Sequence, residues 1–358
     1  MRKYKWIVTG SLLLAFSCVG EDYFGLSSIG NIKKIEGSNQ AQKAVINNGS
    51  LSVRVEIPAG VDLSNLIIEV LEISSFGTSD KGVGDFLDLN NPQTIELVAE
   101  DGSKYLWEIE AFSASENPQL DNYELNLWYQ TSTNYFEPGA DASSTIWGTG
   151  NAGTQILNKL ATTPIDLGND NLAAKMETLD NGPLAGVFGT PISSGSIFTG
   201  VFNSDNIDPS NPQAAIEFGT PFAGRPQALK VKYSYSPGAE DKDKDGNILE
   251  FPDACDIYAL LEIRSGGKVE RLATASFRSS NVQNDLSALE IPFTYGPLDN
   301  SFPEYTFPSD HGFVSRDSAN FVLPTRITFV GASSFGGANF AGAIGSVLVI
   351  DDVEMVYE

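Results

Sequence analysis

The sequence predicts an all-β protein, and three observations carry that prediction. Short runs alternating apolar and polar residues recur along the chain. Clusters of Gly, Pro, Asn, Asp and Ser separate them. The helical period of 3.6 residues is nearly absent. At 358 residues the chain is long enough for two domains.

The first element is not part of either domain. In MRKYKWIVTGSLLLAFSC, Arg2, Lys3 and Lys5 precede a short apolar stretch, Trp6 to Phe16, and small Ser17. This has the grammar of a secretory signal and is short for a membrane span. Ala15-Phe16-Ser17-Cys18 resembles a bacterial lipobox, although Leu is commoner than Ala at the −3 position. The resemblance implies a leader over 1–18, with Cys18 lipidated. Val19-Gly20-Glu21-Asp22 resembles the export signal of Bacteroidetes lipoproteins. It implies a tether over 19–28 and a lipid-anchored, surface-exposed place on the outer membrane, with membrane contact only through the lipid.

The first domain is expected over 29–114. Leu51 to Ile57 alternates cleanly, and Asn65 to Ile73 is a more fully buried run. Thr94–Ala99 and Lys104–Ala111 flank Glu100-Asp101-Gly102-Ser103, and an Asp-Gly between alternating runs is a strong hairpin signal. A stretch of this size and pattern fits an immunoglobulin-like sandwich. Its closing phrase, IELVAEDGSKYLWEIEA, resembles the last hairpin of modules beside the anchor in Bacteroidetes surface lipoproteins, which implies a spacer.

A polar linker containing Pro118 is expected over 115–124. The second domain then fills 125–358, with strands near 171–179, 195–202, 228–236, 256–264, 268–277, 286–295, 325–331 and 345–357. Strands this numerous and long, with no second break in composition, predict one jelly-roll β-sandwich.

Several phrases of this domain occur in order: NYFEPGADASSTIWGTGN (134–151), NLAAKMETL (171–179), GSIFTGVF (195–202), FGTPFAGRPQALKVKYSYSPG (218–238), CDIYALLEI (255–263) and GSVLVIDDVEMVYE (345–358). Together they resemble the putative carbohydrate metabolism domain of Bacteroidales lipoproteins. The FE…W opening and the IDDV strand also resemble galactose-binding-like sandwiches. The resemblance implies a role with glycans and brings no catalytic residues with it.

Composition narrows the partners. The net charge is −24 before the leader's basic residues are removed, so phosphate backbones are repelled and nucleic acid is excluded as a partner. Anionic polysaccharides are disfavoured, whereas neutral glycans carry no such penalty. With Cys18 assigned to lipid, Cys255 stands alone, so no internal disulfide or thiolate metal site is expected. The sole histidine, His311, excludes a zinc site of His ligands, and GxSxG, HExxH and phosphate-cradling glycine loops are absent.

The candidate sites are these. Glycan platforms require exposed aromatic rings beside polar groups. Trp128 and Tyr129 qualify, as does the loop FPEYTFPSDHGF (302–313) with Tyr305, Phe307 and His311. The competing role for that loop is to cap one end of the sandwich. Arg225 would clamp a ligand or staple a loop to a buried Asp such as Asp351. Asp351 shares a strand face with Val347, Val349, Val353 and Met355 and so needs a partner, with a hydrogen-bond network or a structural calcium as the two solutions. Asp241, Asp243, Asp245 and Gly246 match the opening of a calcium loop, but Pro252 stands where a bidentate Glu should close it. A solvated hairpin tip fits better.

These residues predict non-catalytic binding of neutral oligosaccharides or polysaccharides, with no required cofactor and with other surface glycan-acquisition proteins as candidate partners. A glycoside hydrolase using two carboxylates, or a structural or adhesive surface protein, is the alternative.

Overall fold

The computed structural model describes residues 25–58, 60–113, 117–187, 189–203, 206 and 212–357. The leader, Cys18 and the tether up to residue 24 lie outside the described residues.

The first unit contains β1 (Ile32–Gly37), β2 (Val45–Asn47), β3 (Ser52–Ile57), β4 (Leu66–Ile73), β5 (Thr78–Ser79), β6 (Phe86–Leu87), β7 (Gln93–Val98) and β8 (Lys104–Ser113). One sheet has the order β1-β4-β6 and the other β2-β3-β8-β7-β5. Strands β7 and β8 make the hairpin that Asp101-Gly102 predicts, with Gly102 at φ +86°. Strand β3 runs parallel to β8. The inward-facing residues of both sheets, among them Val53, Val55, Ile95, Trp107, Ile32 and Ile68, close into one core. The indole of Trp107 donates to the Gly30 carbonyl at 2.9 Å, which satisfies its one buried donor. Strand β1 escapes the sequence pattern because register shifts near both of its ends break its alternation.

The second unit starts earlier than expected. Residues 117–124 read as a linker, yet they form a strap on the second unit. Tyr357 Oη donates to the Pro118 carbonyl at 2.6 Å, and the Gln119 side chain exchanges two 2.7 Å hydrogen bonds with the Met355 backbone. Leu120 and Leu125 enter the core, and the Trp147 indole donates to the Asp121 carbonyl. Two apolar anchors and the closing strand's free backbone groups outweigh the polar composition of the segment.

Beyond the strap come β9 (Trp128–Gln130), β10 (Phe136–Pro138), β11 (Trp147–Thr149), β12 (Thr162–Gly168), β13 (Asn171–Glu177), β14 (Leu179–Asp180), β15 (Ile192–Ser193) and β16 (Ser196–Phe202). They are followed by β17 (Ile216–Phe218), β18 (Thr220–Pro221), β19 (Ala228–Ser236), β20 (Asp241–Lys242), β21 (Cys255–Ser265) and β22 (Lys268–Ser279). The last are β23 (Gln283–Pro292), β24 (Thr294–Tyr295), β25 (Gly312–Phe313), β26 (Arg326–Ala332), β27 (Gly342–Ala343) and β28 (Val347–Val356). The larger sheet runs β11-β16-β26-β21-β22-β24, with β17, β18 and β25 attached at its margins. The facing sheet runs β12-β13-β28-β19-β23. Ile257, Ala259, Leu261, Ile327 and Phe329 of the first pack on Leu229, Val231, Leu348 and Ile350 of the second, which makes the predicted jelly-roll sandwich.

The two units are docked. Arg326 of β26 meets Glu36 of β1 at 2.6 Å, Lys34 meets Glu217 at 3.1 Å, and Lys43 Nζ donates to the carbonyls of Ser143 and Thr145. Burial works to raise the Glu36 pKa, but Arg326 and Lys34 overcome it and hold the carboxyl below its usual range.

Candidate functional site

The larger sheet has a second face, turned away from the core. Because Ile257, Ala259 and Leu261 of β21 point inward, Asp256, Tyr258 and Leu260 point outward. Cross-strand register places Arg278 opposite Asp256, Ser276 opposite Tyr258 and Thr274 opposite Leu260. On the other side of β21, Val330 faces Tyr258 and Thr328 faces Leu260. At the far end Glu262 lies between Arg271 and Arg326.

This face is lined with polar side chains, several of which carry a buried atom with no hydrogen-bond partner. Asp256 and Arg278 form a two-point ion pair, at 2.8 and 2.5 Å. Glu262 Oε2 takes two hydrogen bonds from Arg264, at 2.6 and 2.9 Å, while Oε1 lies 3.5 Å from Arg271 Nε and 3.8 Å from His311 Nε2. Thr274 is 2% exposed and Thr328 4% exposed. The buried side-chain atoms without a hydrogen-bond partner include Thr274 Oγ1, Thr328 Oγ1, Arg271 Nε, Arg326 Nε and His311 Nε2, all on or beside this face. Buried donors and acceptors are costly to leave unpaired, so their gathering on one surface marks a place where a polar ligand or ordered water completes the set.

The loop 302–313 folds over one flank. Phe307 packs edge-on against Phe313 at 6.2 Å, and the loop docks through β25, which pairs in parallel with β22. Those two rings therefore brace each other within the loop. Tyr305 differs: it is 49% exposed, and the Arg278 guanidinium lies 3.6 Å from its ring centroid. The ring of Phe335 lies 4.5 Å from the same guanidinium. His311 is tied by Nδ1 to Asp310 at 2.6 Å and turns Nε2 towards Glu262. The loop thus brings Tyr305 and His311 to one surface, with Phe307 behind them as support.

The other expected residues lie elsewhere. Trp128 packs against the core and donates from its indole to the Leu125 carbonyl at 2.8 Å, so it holds the strap rather than offering a platform. Tyr129 sits opposite Glu137 in the β9–β10 hairpin, with its phenol pushed up to about 12 by burial and the Glu137 carboxyl. Glu137 itself is 8% exposed and receives Thr149 Oγ1 at 2.7 Å, while Oε2 has no partner. Burial pushes its pKa up to about 7. Arg225 neither clamps an open cleft nor reaches Asp351. It donates to the carbonyls of Ala319 and Val322 and stacks 4.1 Å from the Tyr295 ring, tying down the short helix α1 (Arg316–Ala319) and the turn after it.

The aspartates also separate. Asp351 is buried and receives Asn171 Nδ2 at 3.2 Å, with burial raising its pKa. The strict alternation expected along β28 fails there. Leu348 and Ile350 face the core before Asp351, Val353 and Met355 face it after, and Asp352 at φ +50° takes up the shift. Asp243 is half-buried and Asp245 exposed at a hairpin tip, where Asp243 accepts from the backbone of Asp245 and Asn247. Asp241 alone turns inward. Among the described residues no three His, Cys, Asp or Glu side chains converge as a metal set.

A family model described as "Putative carbohydrate metabolism domain" matches residues 119–356. The chain belongs to that family. The carbohydrate metabolism domain thus covers the second unit, including most of the strap. No curated protein matches. A structure from Bacteroides thetaiotaomicron, described as a putative glycoside hydrolase, is similar over 93% of this chain and 98% of its own, at 22% identity and a TM-score of 0.56. Another with the same description, from Bacteroides vulgatus, covers 66% of this chain and 97% of its own, at 23% identity and a TM-score of 0.52. At these identities the likeness speaks to fold, and the first extends it over both units.

Sequence reasoning missed Asp256, Tyr258, Glu262, Arg271, Thr274 and Arg278. The available signal was a near-alternation of polar residues along the two long strands, broken by Leu260 and by the register shift beside Glu262, which reads as an ordinary solvated face until the covering loop is placed.

Proposed function

We propose that the chain is a surface lipoprotein whose carbohydrate metabolism domain binds neutral oligosaccharides on the outward face of its larger sheet without cleaving them. The observation that carries this reading is the half-exposed Tyr305 ring, held by the Arg278–Asp256 pair, at the rim of a surface rich in unpartnered polar groups. An aromatic face stacks on a sugar ring, and fixed polar groups beside it read the hydroxyls. The carboxylates of this face are already tied to arginines. Asp256 and Glu262 are six residues apart on one strand, roughly 20 Å, well beyond the roughly 5–10 Å that paired acid and base need for glycoside hydrolysis.

Glycoside hydrolysis is the second reading, favoured by Glu137. A buried carboxyl that titrates at about 7 is held protonated where a general acid must be. The immunoglobulin-like reading of the first unit is supported by the parallel pairing of an early strand with the last. Its role is to hold the domain away from the lipid on Cys18.

The test is a glycan panel presented to the purified full chain, reading bound ligand and released reducing ends together. Binding without release, lost in Tyr305→Ala and Arg278→Ala, is the expected outcome. Release that disappears in Glu137→Gln overturns it in favour of the hydrolase, and silence across the panel points to an adhesive or structural role. Incorporation of labelled fatty acid, abolished by Cys18→Ala, tests the anchor separately.

A further inference from the structure

Tyr305 is one end of a row of stacked groups. The Arg278 guanidinium lies between two rings, 3.6 Å from the centroid of Tyr305 and 4.5 Å from that of Phe335. Phe335 in turn packs on Phe251, with centroids 5.9 Å apart and planes tilted by 46°. Both ends of the row are open, since Tyr305 is 49% and Phe251 50% exposed. The two-point pair with Asp256 fixes the guanidinium in the middle.

Phe251 is the member that packing explains least. It follows the hairpin whose tip carries Asp243 and Asp245, and half its surface stays in water, so burial rewards it little. Its place is nonetheless closely specified. The β20–β27 pair anchors the hairpin, and the Leu249 N–H donates to the Asp241 carbonyl at 2.9 Å. Two residues beyond Phe251, buried Asp253 accepts from Ser334 Oγ, from Ser346 Oγ at 2.7 Å and from the Ala343 N–H at 2.9 Å. The Phe335 N–H donates to the Ala254 carbonyl at 2.9 Å. Asp253 and Ala254 therefore tie the segment carrying Phe251 to the turn carrying Phe335, and both rings are held in place without a ligand.

The chemistry of the row selects its occupant. A charged pair interrupts the rings, so they do not merge into the apolar patch that a protein partner buries. A sugar chain offers the matching pattern, apolar C–H faces edged with hydroxyls. Rings in succession suit a chain whose sugar faces follow one another in line, as equatorial linkages arrange them. Building on the binding role above, we propose that Phe251 is a second stacking subsite. The face then takes an extended, equatorially linked neutral glycan lying across Tyr305 and Phe251, not a single sugar.

The test titrates the full chain with cello-, manno- and xylo-oligosaccharides, from disaccharide to hexasaccharide, and reads affinity against length beside melting temperature. At least one series is expected to bind more tightly as it lengthens. Phe251→Ala is expected to weaken the hexasaccharide roughly tenfold while leaving the disaccharide unchanged, and Phe251→Tyr to keep the parent's affinity for both. Tyr305→Ala is expected to abolish binding at every length. A length dependence that survives Phe251→Ala while Tyr305→Ala still abolishes binding overturns the second subsite and leaves the receptor reading standing. Equal loss at every length in Phe251→Ala also overturns it, because the ring would then only support Tyr305. So does binding of none of the three series by the parent chain, and the broader glycan panel decides whether the receptor reading falls with it.

Discussion

Glu137 offers a test of the packing at the open edge of the sandwich. Its carboxyl is 8% exposed, takes one hydrogen bond from Thr149 and titrates at about 7 against an ordinary 4.5. Desolvation is the leading cause, and it acts against the charged form. A folded pKa above the unfolded one means the native state holds the proton more tightly. The associated stability is therefore fully present below pH 4.5 and is lost as pH rises through 7. The loss amounts to roughly 3 kcal/mol. Glu137→Gln keeps the shape and the acceptor for Thr149 while removing the ionisation. Its urea-unfolding free energy is expected to match the parent within about 1 kcal/mol at pH 4.5 and to exceed it by about 2–3 kcal/mol at pH 8. Parallel pH profiles for the two proteins would refute the reasoning, because they would mean that the carboxyl ionises in the fold without cost.

The packing elsewhere sets other outcomes. Arg326→Ala strands the buried Glu36 carboxylate and should cost about 3 kcal/mol, read as a lower melting temperature and a second calorimetric transition as the units part. Trp128→Ala removes a ring packed on the core and should lower stability by about 2–3 kcal/mol, whereas Tyr305→Ala should leave the melting temperature unchanged while abolishing glycan binding. Gly195→Ala places a methyl 2.3 Å from the Ala161 carbonyl and 2.5 Å from the Glu177 nitrogen, both backbone atoms, so low soluble yield and a sharply reduced melting temperature are expected.

The second unit's strands were largely legible because period-two alternation is a local property. The runs expected near 228–236, 256–264 and 325–331 became β19, β21 and β26 with ends moved by a residue or so. Register was not legible. Counting back from the Gly266-Gly267 turn, where Ser265 pairs with Lys268, puts Asp256 opposite Phe277. The shift between Leu261 and Glu262 moves it opposite Arg278 and creates the ion pair under Tyr305. A shift of the same kind at Asp352 upset the face assignment of Asp351. Loop positions were no better marked: the proline-spaced aromatics of 302–313 gave no sign that Phe307 packs on Phe313 while Tyr305 stays half-exposed.

If the outward face binds a glycan as proposed, the buried contact between Arg326 and Glu36 also governs how that ligand is met. Arg326 sits on the same outward surface as Thr328, next in line to Glu262, so the first unit grips the sheet at the edge of its ligand-facing side. A loosely hinged module would sample many orientations, and each capture would have to freeze them. Here the angle between the first unit and that surface is set before any sugar arrives. In the proposed binding role, a ligand would then meet one preset arrangement of the two units and would not spend binding energy on ordering them.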